Sequence, residues 1–370
     1  MSLYLDANAT EPLRPEARRA AIEALDLPGN PSSVHADGRA ARRILERARA
    51  QVAQRFGARP PEVVFTSGGT EADTLAIRGL GAGRRLLVGS TEHPAVLAAA
   101  DAQASGGAAA ARLPVTPDGV LDLAALEAAL AEGSPALVCL MLANNETGVL
   151  HPVAEAAALC RRHGARLHVD AVQAGGRVPV SLGELGADSL AVSGHKLGGP
   201  KGAGALLLRP GLDLAPGTTG GGQERGRRGG TEALPAIAGL GAAAEAADPA
   251  LAARLATLRD AIEAGAGAIV AGAGAPRLPN TSCLVLPGVP AETQVIALDL
   301  AGVRVSAGAA CSSGKVGRSP VLDAMGLGAE AGCAIRVSLP WNAAPDAAAR
   351  FLDAYAAMRS RLRREQPAAA

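Results

Sequence analysis

Residues 189–202 read SLAVSGHKLGGPKG, an apolar run that ends in polar residues and then in a glycine- and proline-rich stretch. The apolar part is typical of a buried strand, and Lys196 follows it almost at once. Upstream, the strand-like run Leu167-His168-Val169 is followed by the segment Asp170-Ala171-Val172-Gln173. The chain therefore presents a carboxylate and an amine at the ends of successive predicted strands.

Lys196 and Asp170 match the two requirements of pyridoxal phosphate, which needs a lysine amine for a Schiff base and a carboxylate that keeps its ring nitrogen protonated. Lys196 could instead be an ordinary exposed lysine. Asp170 could be a helix cap, with Gln173 completing a capping box. The surroundings of Lys196, between a histidine and a loop of glycine and proline, favour the functional interpretation.

Polar residues also follow three other strand-like runs. The five polar clusters in chain order are Thr66 to Glu71, Thr91 to His93, Asn144 to Glu146, Asp170 to Gln173 and Ser193 to Lys196. Helical patterns between several of the strands predict an α/β fold with a mainly parallel sheet and helices on both faces. Ligands of such sheets bind outside the carboxyl ends of the strands, so the five clusters predict one pocket.

The chain has 370 residues, which is long for one core and suggests two domains. We expect a large domain over residues 14–250 and a smaller α+β domain over residues 251–370, joined by residues 1–13. In the smaller domain, the pattern predicts a strand at 282–286, further elements at 293–300 and 303–305, and a last helix over 347–364.

Composition and charge exclude several classes of protein. Hydrophobic residues make up 48% and charged residues 19%, and the net charge is +1, so nothing indicates a nucleic acid or an anionic membrane as partner. Aromatic residues make up only 2%, which disfavours a base-stacking surface. We recognise neither a signal peptide nor a membrane span, and five widely spaced cysteines indicate reduced thiols in a cytoplasmic protein.

Two of the clusters suggest roles beyond those of the lysine and the aspartate. Gly69 and Thr70 lie where a strand gives way to a helix, whose N-terminus could bind a phosphate together with Ser193 and His195. A plain turn capped by Thr70 is the alternative. His93 could stack on an aromatic cofactor and move protons, or it could simply cap the helix after it. No histidine shows metal-ligand spacing, and we assign no metal.

Two loops carry further candidates. Residues 220–231 read GGGQERGRRGGT, and their composition favours a solvated surface loop; the functional alternative is an arm that carries Thr231 to a phosphate across a subunit interface. Residues 307–315 read AGAACSSGK, and the small residues around Cys311 predict an accessible loop. Lys315 nearby would lower the pKa of this thiol modestly.

Together these runs resemble the cysteine desulfurases of the nitrogen-fixation and iron-sulfur-cluster type, class-V aminotransferases of pyridoxal-phosphate fold type I. The resemblance spans nearly the whole chain, from the run Leu5 to Thr10 to the run Ile335 to Ser338. It implies a large domain with a mainly parallel seven-stranded sheet and a smaller C-terminal domain that carries the cysteine loop. Thr74, Leu197-Gly198 and Gly229 depart from the family's usual pattern, beside the chemistry rather than on it.

For the cofactor, pyridoxal 5'-phosphate, the resemblance implies a role for each matching residue. Lys196 resembles the Schiff-base lysine, and Asp170 resembles the partner of the ring nitrogen. Gln173 would bond the ring hydroxyl, and His93 would stack on the ring. The phosphate ligands would be Gly69, Thr70, Ser193 and His195, with Thr231 from the second subunit of a homodimer.

For the substrate, the resemblance implies that Asn145 and Arg336 position the carboxylate and the cofactor, with Asn8 nearby. Cys311 resembles the sulfur-accepting nucleophile. The implied activity is desulfuration of L-cysteine to L-alanine, with a persulfide on Cys311 that passes to an iron-sulfur scaffold or another sulfur acceptor.

Three alternatives stay open. A selenocysteine lyase or cysteine-sulfinate desulfinase would use the same pocket and depend less on Cys311. An aminotransferase or a kynureninase-like enzyme would not need Cys311. A catalytically weak, cofactor-binding scaffold of a sulfur-transfer complex is disfavoured because the set of catalytic residue types is complete.

Overall fold

A computed structural model describes residues 2–133, 135–248, 250–308 and 318–365, with side chains described as far as residue 362. Cys311 and Lys315 lie outside these residues.

Strands and helices alternate from residue 63 to residue 193. The strands are β1 (Leu3–Tyr4), β2 (Val63–Thr66), β3 (Arg85–Gly89), β4 (Ala110–Leu113), β5 (Ala136–Met141), β6 (Arg166–Asp170), β7 (Ser189–Ser193), β8 (Gly204–Leu208), β9 (Ile269–Val270), β10 (Thr281–Val285), β11 (Val303–Arg304), β12 (Ser306–Ala307) and β13 (Ala334–Ser338). The helices are α1 (Pro15–Leu25), α2 (Ala36–Arg55), α3 (Gly69–Gly81), α4 (Pro94–Ser105), α5 (Leu123–Ala131), α6 (Val153–Arg162), α7 (Leu182–Leu185), α8 (Leu234–Ala246), α9 (Leu251–Ala266), α10 (Ala291–Leu300), α11 (Pro320–Ala324) and α12 (Ala347–Glu365).

The main sheet has seven strands in the order β2-β8-β7-β6-β5-β3-β4. Only β8 runs against the others, because it pairs antiparallel with both β2 and β7. The remaining neighbours pair parallel, which confirms the predicted α/β fold with a mainly parallel sheet. All five strands predicted before the polar clusters are present in this sheet.

Apolar runs explain the five strands that the sequence predicts. In β5, all six residues are buried, as expected for a strand covered by helices on both faces. The sequence pattern missed β4 and β8. Strand β4 lies at the sheet edge and exposes three of its four residues, so it lacks an apolar run. Strand β8 is apolar, but it directly follows the glycine- and proline-rich stretch after Lys196.

A second apolar core lies in the C-terminal part of the chain, around the four-stranded antiparallel sheet β12-β13-β10-β9. Phe351 and Tyr355 of α12 stack in it with ring centroids 5.3 Å apart. Leu3 and Leu5 belong to the same core, and β1 pairs parallel with β11, so the N-terminal strand is part of this region. Segment 293–300 lies in helix α10. No helix in the described ranges is long and apolar enough to cross a membrane.

Candidate active site

The five polar clusters lie along one edge of the main sheet, because β2, β3, β5, β6 and β7 all run in the same direction. Hydrogen bonds and close packing join neighbouring clusters. The Asn144 Nδ2 donates to the main-chain oxygen of Thr91 over 3.1 Å. At Gly69, an added Cβ would lie 2.7 Å from Val172 and 3.5 Å from the Cβ of Ser193. The structure therefore brings the five clusters to one edge of the sheet, where the sequence predicts a shared pocket.

The N-terminus of α3 offers free backbone donors to this pocket. The helix begins at Gly69, and no side chain of the described residues caps it, so Thr70 is not its cap. Gly69 is buried against Val172, and a side chain at this position would collide with its methyl group. Thr70 itself is exposed. Uncapped N–H groups at the start of a 13-residue helix suit an anion such as a phosphate.

Lys196 ends a short 3-10 turn that follows β7. Its Nζ donates hydrogen bonds to the main-chain oxygens of Asn8 and Ala9, the latter over 3.0 Å. The amine is thus held at the carboxyl edge of the sheet by the N-terminal segment. Ser193, the last residue of β7, is buried just before the turn.

Asp170 is the last residue of β6 and is buried. Its Oδ1 accepts a hydrogen bond from the backbone N–H of Val172 at 2.8 Å. Burial, with a further contribution from the nearby carboxyl of Asp73, raises the pKa of Asp170 to about 7. A cationic N–H group in the pocket would therefore favour its ionised form.

His93 caps helix α4, because its Nδ1 accepts a hydrogen bond from the N–H of Ala95 at 3.1 Å. Burial, together with the charge of Lys196, lowers the pKa of His93, whereas the charge of Asp170 acts in the opposite direction. The ring is therefore neutral near pH 7, and its proton lies on Nε2 since Nδ1 is the acceptor. The capping hydrogen bond uses Nδ1, so it is compatible with the role that the sequence predicts for the ring in the pocket.

Gln173 shares a hydrogen-bond acceptor with Lys196. The Gln173 Nε2 donates to the main-chain oxygen of Asn8 over 3.0 Å, and the Lys196 Nζ donates to the same oxygen. The Gln173 amide oxygen accepts a hydrogen bond from Arg177. Arg177 is also buried, and its Nη2 lies 3.3 Å from the carboxylate of Glu11. This network fixes the orientation of the Gln173 amide.

Asn8, Asn145 and Arg336 meet at the other end of the pocket. The Nδ2 of Asn8 and the Nη1 of Arg336 both donate to the main-chain oxygen of Asn145 over 3.1 Å. The Nη2 of Arg336 donates to Asp6 Oδ1 over 2.7 Å. Its Nε is buried and has no hydrogen-bond partner among the described residues. A buried guanidinium with an unused donor suits a carboxylate ligand.

For two of the predicted phosphate ligands, His195 and Thr231, the contacts in the structure say less about a phosphate. The Nδ1 of His195 lies 3.3 Å from the hydroxyl of Thr10, and burial, together with nearby cations, lowers the pKa of His195 to about 4. Thr231 is exposed at the end of its loop. In the single chain, its surroundings therefore do not by themselves indicate a ligand.

The loop over residues 220–231 is not simply a solvated surface loop, as its composition suggested. Glu224 is buried and accepts two hydrogen bonds from Arg49, over 2.7 and 2.8 Å, and a third from the N–H of Phe65 over 2.8 Å. Glu224 and Arg225 have φ values of 47° and 59°, in the left-handed region. The buried ion pair anchors the loop beside β2 in this backbone conformation.

Sequence reasoning assigned no role to three buried acids beside the pocket. Glu92 Oε1 accepts from the N–H of Met141 over 2.7 Å, and Glu146 Oε2 accepts from the Ser319 hydroxyl over 2.6 Å. Asp73 Oδ1 lies 3.1 Å from the Nε2 of His168. Asp73 could have been found, because it lies on the same face of α3 as buried apolar residues three to seven positions further on.

Comparisons with known proteins show the family to which the chain belongs. The model of the family "Aminotransferase class-V" matches residues 3–348. A cysteine desulfurase of Cereibacter sphaeroides is 49% identical over 337 residues, covering 87% of this chain and 86% of the relative. A solved NifS-like protein from Rickettsia africae has a TM-score of 0.89 at 32% identity, covering 97% of this chain and 100% of the other.

A further solved structure, described as SspA in complex with cysteine, has a TM-score of 0.82 at 29% identity and covers 92% of this chain and 99% of its own. The chain belongs to the class-V aminotransferase family, among its cysteine desulfurases.

Proposed function

We propose that this cysteine desulfurase binds pyridoxal 5'-phosphate through Lys196 and transfers the sulfur of L-cysteine to Cys311, releasing L-alanine. The observation that carries the proposal is the position of Lys196 and Asp170 at the ends of the parallel neighbours β7 and β6. An amine and a buried carboxylate at one sheet edge are the pair that this cofactor requires.

The residues of the pocket fit the cofactor. Asp170 supplies a buried acceptor whose ionised form needs a cationic N–H partner, as a protonated pyridine nitrogen is. The uncapped start of α3 at Gly69, with Thr70, Ser193 and His195, supplies donors for the phosphate. Gln173 would bond the ring hydroxyl. When bound, the cofactor supplies an electron sink for the substrate's Cα.

Lys196 and His93 are the proton carriers of the proposal. Once the substrate amine has displaced it, the Lys196 amine would take the proton from Cα, since it is the flexible base at this point of the pocket. His93 is neutral at pH 7 and has its proton on Nε2, so it can donate to a developing anion. Arg336 would bind the substrate carboxylate, with Asn145 and Asn8 lining the same end.

The sulfur step would use Cys311 as a thiolate. Its sulfur attacks the substrate sulfur, so an S–S bond forms while the Cβ–S bond breaks. The electron pair of that bond stays on Cβ, which takes a proton; Lys196 would return a proton to Cα, and the product would leave as alanine. Cys311 then carries a persulfide, which an iron-sulfur scaffold or another acceptor protein would receive.

We also propose a homodimer and two domains. Thr231 is exposed at the end of an anchored loop, an arrangement that suits donation of its hydroxyl to the phosphate of a second subunit. The separate apolar core of the C-terminal part supports a large domain over residues 14–250 and a smaller one over 251–370 with 1–13.

The cofactor assignment is tested by reduction of the purified protein with borohydride and mapping of the labelled peptide. The label is expected on Lys196, and Lys196→Ala should lose it. Lys201→Ala is the matched control, because Lys201 is exposed five positions away. Covalent cofactor retained in Lys196→Ala would exclude Lys196 as its attachment point.

The sulfur assignment is tested by feeding L-cysteine and measuring alanine and sulfide. Cys311→Ala should lose both products, whereas Cys333→Ala, at the most accessible described thiol, should keep them. Unchanged product formation by Cys311→Ala would overturn the persulfide and favour a lyase or desulfinase that does not depend on this thiol.

A further inference from the structure

We propose that Glu146 is a positioning residue that holds together Gly308 and Ser319, described residues that lie on either side of the segment that carries Cys311. The inference rests on the proposed function, because it concerns the described residues next to the segment that carries Cys311. It adds a residue that neither binds the cofactor nor reacts, but that sets the two anchor points of the cysteine segment relative to the substrate pocket.

The first contact is made by Ser319. Its hydroxyl donates a hydrogen bond of 2.6 Å to Glu146 Oε2, and both side chains are buried. The same hydroxyl accepts from the N–H of Leu322 over 3.1 Å, which caps helix α11. The downstream anchor point is therefore fixed both to the start of a helix and to Glu146.

The second contact is made by Gly308. A Cβ added to this glycine would lie 2.5 Å from Glu146 Oε2 and 3.7 Å from the Cβ of Ser319. The same oxygen, Oε2, thus fills the space that a side chain at Gly308 would need, and it accepts the hydrogen bond from the Ser319 hydroxyl. The φ of Gly308 lies outside the left-handed region, so this angle would admit alanine; among the described residues, Glu146 is the one that lies too close to an added methyl group.

Glu146 is itself held rigidly beside the substrate end of the pocket. Its backbone N–H donates to Asn144 Oδ1 over 2.9 Å, and the N–H of Thr147 donates to the same oxygen over 3.0 Å. The intervening Asn145 accepts hydrogen bonds from Asn8 and Arg336 through its main-chain oxygen. The turn that follows β5 therefore contacts the substrate end of the pocket through Asn145. Through Glu146, the same turn accepts a hydrogen bond from Ser319 and packs against Gly308.

A role in positioning predicts an effect confined to the reaction that needs Cys311. L-cysteine requires thiolate attack on its sulfur, whereas L-cysteine sulfinate can lose its sulfur as SO₂, with the electron pair left on carbon and no nucleophile involved. Glu146→Ala holoenzyme should therefore lose about tenfold or more in alanine formation from L-cysteine, since small misplacements of a reacting group are costly. Its activity on the sulfinate should stay close to that of the parent.

Glu146→Gln is the conservative variant, because its amide oxygen still accepts the Ser319 hydroxyl. It should recover most of the activity on L-cysteine. Glu155→Ala, at an exposed acid in α6, is the matched control and should equal the parent on both substrates. Equal losses on both substrates in Glu146→Ala, or no loss on either, would overturn the proposal.

A second pair of variants tests the contact with Gly308 directly. Gly308→Ala should lower activity on L-cysteine because its methyl group meets the carboxylate oxygen of Glu146. In the Glu146→Ala background, the same change should cost little more, since that oxygen is gone. An equal loss from Gly308→Ala in both backgrounds would contradict the contact.

The parallel measurement on Cys311→Ala separates this inference from the function on which it rests. If Cys311→Ala loses activity on L-cysteine but keeps it on the sulfinate, the result for Glu146→Ala judges the positioning role alone. If Cys311→Ala keeps both activities, the proposed sulfur transfer fails first, and the positioning role is rejected with it.

Discussion

The ammonium of Lys196 donates a hydrogen bond to the main-chain oxygen of Asn8, a residue 188 positions earlier in the chain. The amide of Gln173 donates to the same oxygen over 3.0 Å. The side chain of Asn8 in turn donates to the Asn145 main-chain oxygen and to the Thr281 hydroxyl. The N-terminal segment therefore links the lysine to the substrate end of the pocket and to β10 of the C-terminal core.

Asn8→Ala should weaken this link. It leaves the buried oxygen atoms of Asn145 and Thr281 without the Asn8 donor, which costs about 1–3 kcal/mol. We expect a lower free energy of unfolding in urea and a raised KM for L-cysteine. Asn30→Ala is the matched control, because the Asn30 side chain accepts an exposed hydrogen bond from the N–H of Ser32, and it should change both quantities little. An Asn8→Ala protein with the parent's stability and KM would contradict the linking role.

The two roles of His93 can be separated by substitution. His93→Ala removes the cap of α4 and should cost about 1 kcal/mol of stability, whereas His93→Asn keeps a capping oxygen. Both variants lack the imidazole, so both should lose about a hundredfold or more in alanine formation. The measurements are thermal unfolding and product formation from L-cysteine. Normal activity in His93→Asn would show that the ring serves only as a cap.

Asp73 makes the stability of the cofactor-free protein depend on pH. Burial raises its pKa from 3.8 to about 8, so between these values the folded protein holds a proton that the unfolded chain releases. Stability from this group is therefore present at low pH and is lost as the pH rises through about 8. Asp73→Asn removes the group that causes this pH-dependent loss of stability. The stability of the variant relative to the parent should therefore rise between pH 6 and pH 8.5.

The ionisable groups next to Asp73 do not reverse this fall in stability with rising pH. Burial lowers the pKa of its partner His168 to about 4, so this ring stays neutral over the range. Asp73 also raises the pKa of Asp170, and its replacement should ease ionisation of Asp170 in the same direction. Urea unfolding of the cofactor-free proteins at the two pH values measures the difference, and parallel pH profiles would refute the assignment.

The buried pair Arg49–Glu224 should contribute strongly to stability when either partner is removed alone. Glu224→Gln removes the buried counter-ion of Arg49 and leaves the guanidinium with the more exposed Glu46, 3.2 Å away, and we expect a loss of about 3 kcal/mol. The double variant Arg49→Met with Glu224→Gln should recover part of this loss, because no charge is then buried. Urea unfolding measures both variants.

The exposed pair Arg162–Glu127, with a 2.8 Å contact, is the control for that prediction. Glu127→Gln should cost less than about 1 kcal/mol, as is usual for solvated ion pairs. Similar losses in Glu127→Gln and Glu224→Gln would mean that burial does not govern the strength of these interactions.

Much of the pocket was predictable because it depends on local patterns. Each apolar run that forms β2, β3, β5, β6 or β7 is followed at once or within a few residues by its polar cluster, so strand type and site position could be predicted together. The roles of Asp73 and Glu146 were not predictable in this way. The sequence does not distinguish a buried acidic side chain from an exposed one. Burial of Asp73 and Glu146 depends on partners far along the chain, His168 and Ser319 respectively.

Local sequence patterns specify the strand ends and the residue types of the pocket, since backbone and side-chain preferences act over a few positions. The tertiary structure alone decided which distant residues meet them: Asn8 beside Lys196, Glu224 in contact with Arg49, and Glu146 between Gly308 and Ser319. These contacts bridge long stretches of chain, and they form only when burial of the apolar cores brings those stretches together.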